Sequence, residues 1–267
     1  MEQMHLNQGS IVMKKLNSAW RVFATGASFT LFGLGGLLFG LVAFPPLLLI
    51  TNRAARRRIA RRAIARMFRF FIEFMRVFGV LSYELSGFEQ LRDRRGMLVI
   101  ANHPTLLDVV FLVAFLDDVD CIVKKEIFRN PFMLGPVTTA GYIPNDADDP
   151  EQLIHLCVAR LHEGANLIIF PEGTRTVTNQ GYRLQRGASN IAIRSGVAPT
   201  PILITCYPPT LRKGEKWYKI PHQKMHFSLR VQPDFSIQPY VECNPSIAAR
   251  RLTQDLTLYF SESVPNG

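Results

Sequence analysis

Residues 97–108 read MLVIANHPTLLD, and residues 166–176 read NLIIFPEGTRT. In each, a short apolar run ends in a polar turn that carries titratable side chains. Runs of four or five residues that are apolar on both faces are what strands covered on both sides of a sheet require. Further strands are expected at 121–123, 200–206 and 227–231. Between the strands, residues 106–116, 125–134, 150–163 and 187–195 read as helices. A last helix is signalled by Asn244 as cap and Pro245 in its first turn. Strands alternating with helices predict a layered α/β domain, with its site along the edge where the strands end.

The chemistry is carried at those strand ends. His103 closes one strand, and Asp108 follows five residues later across a turn entering a helix. A carboxylate placed against one imidazole nitrogen fixes the tautomer and leaves the other nitrogen free to take a proton from a hydroxyl. Alone, that spacing equally fits a capping aspartate beside a structural histidine. The second segment adds Glu172, with acceptor oxygens for hydroxyls, Gly173, which permits close backbone approach, and Arg175, a planar fork for phosphate or carboxylate. No GxSxG nucleophile elbow, Walker phosphate loop or Rossmann glycine pattern is present. His155 and His162 lack a third ligand nearby, and the four cysteines (Cys121, Cys157, Cys206, Cys243) form no CxxC pair, so no metal site and no disulfide framework is read.

The amino-terminal third has a different character. Residues 23–50 contain no charged side chain, and about 20 helical residues suffice to cross a bilayer. Pro45 and Pro46 interrupt that segment near its end. Between Arg53 and Arg76 stand nine arginines against the single acid Glu73, which is +8 of the formal +10. A basic block beside an apolar run suits anionic headgroups, at about 1 kcal/mol per Lys or Arg near the surface. Ile64, Met67, Phe68, Phe71, Ile72 and Met75 recur at helical spacing among those arginines, as an interfacial amphipathic helix requires, and Gly79 offers a stop. With Lys14, Lys15 and Arg21 on the other flank, the positive-inside rule does not separate a single span from a re-entrant hairpin. The hairpin, with both ends cytoplasmic, is the expectation. No aromatic RNA platform or zinc finger accompanies the basic block, so no nucleic-acid partner is expected.

Together NHPTLLD and FPEGTRT, in that order and about 70 residues apart, resemble the glycerolipid acyltransferase family, which includes the 1-acylglycerol-3-phosphate acyltransferases. GYIPND at 141–146 and VAPTPILI at 197–204 fit the same family. The resemblance implies an α/β acyltransferase domain over 81–267, following membrane-anchoring and amphipathic helices in 1–80, on the cytoplasmic face of a membrane. It implies that His103 is the general base, oriented by Asp108, and that Glu172, Gly173, Thr174 and Arg175 bind the acceptor, with Lys124, Lys125 and Arg186 as further phosphate or carrier contacts. Acyl-CoA or acyl carrier protein would be the co-substrate, no other cofactor is implied, and membrane lipids are the partners. The implied acceptor is a lysophospholipid, most typically 1-acylglycerol 3-phosphate. The alternatives are a specialised acceptor, such as an amino-acid lipid or an aryl-polyene-like lipid, and a catalytically silent lipid-binding protein. Ala147 stands where many family members have arginine, and this departure favours a different headgroup or a displaced cation.

Overall fold

The structure, a computed structural model, describes residues 2–145, 149–176, 182–216, 218–221 and 223–264. Its centre is one seven-stranded sheet built from β1 (Leu81–Ser86), β2 (Leu98–Ala101), β3 (Val119–Lys124), β4 (Ile143–Asn145), β5 (Asn166–Ile169), β6 (Pro199–Tyr207) and β7 (Met225–Val231), in the order β1-β7-β6-β2-β5-β3-β4. Neighbours pair in parallel except β6 with β7. Strands β2, β3, β4, β5 and β6 therefore end on one edge, and β2 and β5 lie side by side, with Ile100 opposite Ile169. The turns that follow these two strands are the two sequence motifs.

Alternation along β2 divides the core. Val99 and Ala101 face one layer with Ile64, Phe71 and Phe111, whereas Leu98 and Ile100 face another with Cys157, Ile191, Leu252 and Phe260. The first layer is covered by α3 (Arg53–Val77), α4 (Asp108–Phe115) and α5 (Pro131–Thr139), and the second by α6 (Pro150–His162), α7 (Gly187–Ser195) and α8 (Pro245–Ser263). The helix expected over 125–134 is instead a 3₁₀ turn, Lys125–Arg129, followed by α5. Pro131 disfavours helical backbone at Asn130 and so separates the two. Strands β1 and β4 were not expected. β1 alternates at the sheet margin and β4 has three residues, both weak signals.

Ahead of the sheet, α1 (Glu2–Val42) and α3 form a helical hairpin joined by the short α2 (Phe44–Leu47). The pairs Trp20–Phe78 and Phe32–Phe71 show that the helices run in opposite directions. Helix α1 ends just before Pro45 and Pro46, and α3 ends at Val77 ahead of Gly79, whose φ of +74° suits the residue that closes a helix. The segment Asn17–Leu47 is long and apolar enough to cross a membrane, and its most apolar window is only 12% buried. Phe23, Leu34, Leu38 and Leu41 are exposed on it, and Phe70 and Val77 on α3.

The arginine block divides. Arg62 and Arg66 are exposed, but Arg61 is 5% exposed and turns inward. Its Nη2 lies 2.8 Å from Asp120 Oδ2, its Nη1 3.5 Å from Asp118 Oδ1, and its Nε donates to the Ala140 carbonyl at 2.9 Å. Arg160 approaches Asp120 from α6 at 3.8 Å. Burial pushes the Asp120 carboxyl up to about 7, against the pull of Arg61. Part of what reads in sequence as a headgroup-binding surface thus fastens the hairpin to the sheet.

Candidate active site

His103 and Glu172 leave the adjacent ends of β2 and β5 and are joined directly. The His103 amide donates to Glu172 Oε1 at 2.9 Å, and the Thr176 hydroxyl donates to the same oxygen at 2.9 Å. The Thr176 amide returns to the His103 carbonyl at 2.7 Å. Glu172 is therefore a clasp between the two motifs. Burial raises its carboxyl above the usual range, opposed by the His103 amide and the Thr176 hydroxyl.

Asp108 is the first residue of α4 and is fully buried. Its Oδ2 lies 2.8 Å from His103 Nδ1 and accepts from the Thr105 amide at 2.7 Å, while Oδ1 accepts from the Thr105 hydroxyl at 2.6 Å. Because an ionised carboxylate only accepts, Nδ1 carries the proton and the Nε2 lone pair is available. Among the described residues Nε2 has no hydrogen-bond partner. Burial raises the Asp108 carboxyl, and the hydrogen bond and charge of His103, followed by the donors of Thr105, oppose it. The imidazole also stacks on Phe170, with ring centroids 4.2 Å apart and planes at 25°. Asn102 holds the strand end in place. Its side-chain amide donates to the Ile204 carbonyl at 2.7 Å and accepts from the Ile204 amide at 2.8 Å, continuing the β2–β6 ladder by one rung.

The other expected residues fall into three groups. Gly173, at φ +69°, forms the turn after Phe170, and Gly173 and Thr174 are exposed at the mouth. Arg175 is half-buried, and its Nη1 donates to the carbonyls of Leu211 and Arg212, both at 3.0 Å. Lys124 and Lys125 are exposed at the end of β3 on the same edge, about two strand spacings, roughly 10 Å, from the dyad. Arg186 is exposed ahead of α7. Ala147 lies outside the described residues. Thr105, Asn102, Phe170 and the 211–212 carbonyls were given no role in the sequence, although Thr105, Asn102 and Phe170 lie within the motifs. A cavity of about 510 Å³ lined by Arg69, Tyr83, Phe88 and Phe115 lies at the opposite end of α4 from Asp108. It contains neither the dyad nor the clasp, so the chemistry is assigned to the strand edge.

Comparison with known proteins agrees with the motifs. Residues 82–205 match the acyltransferase family model. The 1-acyl-sn-glycerol-3-phosphate acyltransferase of Helicobacter pylori is 32% identical over 117 residues, which are 42% of this chain and 49% of that protein. The lyso-ornithine lipid O-acyltransferase of Pseudomonas aeruginosa is 32% identical over 115 residues, 42% of this chain and 44% of that protein. The chain spans about half the length of the curated relatives it matches. The crystal structure of the 1-acyl-sn-glycerophosphate acyltransferase from Thermotoga maritima shares the fold, with a TM-score of 0.69 at 16% identity over 92% of this chain and 98% of that one.

Proposed function

From the acyltransferase-family segment at residues 82–205, we propose that this chain transfers a fatty acyl group from a thioester donor, acyl-CoA or acyl carrier protein, to the free hydroxyl of a lyso-lipid, most typically 1-acylglycerol 3-phosphate. The observation that carries the reading is the 2.8 Å contact of His103 Nδ1 with buried Asp108, at the strand edge, with Nε2 unpartnered among the described residues. Nε2 takes the proton of the acceptor hydroxyl, and the resulting alkoxide oxygen attacks the thioester carbonyl. Asp108 stabilises the imidazolium formed. The tetrahedral intermediate collapses with loss of the thiolate, which recovers the proton from His103, so the acyl group passes directly without an acyl-enzyme. Glu172 and Arg175 hold the acceptor side of the mouth, and Lys124 and Lys125 lie where a donor or headgroup phosphate would pass.

The apolar hairpin anchors the catalytic domain to the membrane that holds the acceptor, with that domain on the cytoplasmic side. A second acceptor class, an amino-acid lyso-lipid, is favoured by the similarity to the lyso-ornithine lipid enzyme. The test is to incubate purified protein with acyl-CoA or acyl carrier protein and with 1-acylglycerol 3-phosphate or lyso-ornithine lipid, and to identify products by mass spectrometry. A diacyl product is expected. Donor hydrolysis alone, or no turnover in any combination, would overturn the reading.

A further inference from the structure

The long connection from β6 to β7 belongs to neither motif, yet its root is tied to both. The Leu211 carbonyl accepts from the Leu106 amide at 3.2 Å, within the histidine motif, and from Arg175 Nη1 at 3.0 Å. Leu211 is 4% exposed and holds φ at +54°, left-handed backbone that a leucine adopts only where its surroundings impose it. Arg212 comes next. Its carbonyl is held by Arg175 Nη1 and its amide by Glu215 Oε2 at 3.1 Å.

The backbone of Arg212 is therefore fixed at both groups, but its side chain is not. Arg212 is half-buried, and its guanidinium makes no hydrogen bond or ion pair among the described residues. Its backbone sits beside the turn that carries the dyad, since the neighbouring Leu211 carbonyl accepts from the amide of Leu106, between His103 and Asp108 in the chain. Burial and the Asp108 carboxylate push Cys206 up to about 12, while the Thr210 backbone and Arg212 pull the other way. A permanent cation with five donors is thus carried on the turn next to the dyad, without a partner anion among the described residues. Arg175, in contrast, has Nη1 committed to two carbonyls.

We propose that Arg212 receives the anionic group of the acceptor headgroup, a phosphomonoester, and that Arg175 is a positioning residue that holds the Leu211–Arg212 turn in place to present it. This assignment rests on the lyso-lipid acyl transfer proposed above. The same phosphate chemistry occurs in the nucleotide part of acyl-CoA, and the experiment separates the two sources.

The full-length protein and its Arg212→Gln and Arg212→Lys variants are compared in steady-state kinetics, varying 1-acylglycerol 3-phosphate in one arm and acyl-CoA or acyl-pantetheine in the other. Arg212→Gln should raise KM for 1-acylglycerol 3-phosphate about 10-fold or more, the scale of one charge-assisted hydrogen bond. KM for both donors should move less than about twofold, on the ordinary scale of surface substitutions, and Arg212→Lys should recover part of the loss. An unchanged acceptor KM, or a rise confined to acyl-CoA, overturns the assignment. So does loss of the folded state in Arg212→Gln, because a side chain without partners should leave thermal stability unmoved. If the wild-type protein makes no diacyl product from any acceptor, the acyltransfer reading itself fails, a result distinct from these.

Discussion

Asp108 and Asp120 are both fully buried, and both face a nitrogen base, an imidazole in one case and a guanidinium in the other, at opposite ends of the same sheet. Around Asp108 three hydrogen bonds come from Thr105 and His103, and the partner is an imidazole whose other nitrogen has no hydrogen-bond partner among the described residues. Around Asp120 the cations are Arg61 and Arg160, which stay charged at any ordinary pH, and neither leads to the mouth. A buried carboxylate supports proton transfer only when its partner can gain and lose a proton in reach of substrate. With arginine as partner it becomes a joint, and here the joint connects the apolar hairpin to β3.

The comparison would break most visibly at Arg61. Arg61→Ala leaves Asp120 buried without its main cation and should cost about 3–5 kcal/mol in denaturant unfolding, while turnover per folded molecule stays within about twofold. The double variant Arg61→Ala/Asp120→Ala should cost less than the sum of the single variants, by about 0.5–3 kcal/mol. Equal and additive losses would mean that the two side chains do not hold one another. Asp120 adds a pH signature. Its folded value is raised from 3.8 to about 7, so the unfolded chain binds fewer protons across that interval and stability should fall as pH rises through it. Asp120→Asn should flatten that slope in thermal melts taken from pH 4 to 8.

A smaller effect is expected at Thr105, which supplies two of Asp108's hydrogen bonds. Thr105→Val removes the hydroxyl and keeps the shape, and should lower kcat about 10-fold, whereas Thr105→Ser should remain near wild type. Comparable losses in both variants would assign Thr105 a packing role.

The two sides of this comparison were not equally legible. The half proposed to be catalytic could be read because it lies within two short motifs that each follow an apolar strand. Asp108 is one turn from His103, and Glu172 follows a strand whose apolar signal matches that of its neighbour. Helix limits set by local chemistry were also readable, as in α7 and at the Asn244 cap of α8, whose side chain accepts from the Ser246 amide at 3.0 Å. The joint was hidden because Arg61 and Asp120 are far apart in sequence, and nothing within the basic block distinguishes the arginine that turns inward. The same applies to Asn102 with Ile204 and to Arg175 with the 211–212 carbonyls, contacts that exist only once the sheet has formed.

The smallest predicted effect separates neighbouring arginines on α3. Arg62→Gln and Arg66→Gln should each weaken binding to anionic vesicles by about 1 kcal/mol in low salt, with the difference vanishing as salt is raised. Arg61→Met should leave vesicle binding unchanged, because that side chain is not available to lipid. Equal weakening in all three, measured by vesicle co-sedimentation, would restore the reading of the whole block as a membrane surface.

The central claim is that the imidazole held by Asp108 moves the proton in acyl transfer, and its most direct measurement is the rate of diacyl product formation by His103→Ala at matched amounts of folded protein. The expected result is a fall of about 10² to 10⁴-fold with an unchanged melting temperature. Transfer by His103→Ala within a few-fold of the wild-type rate would contradict it.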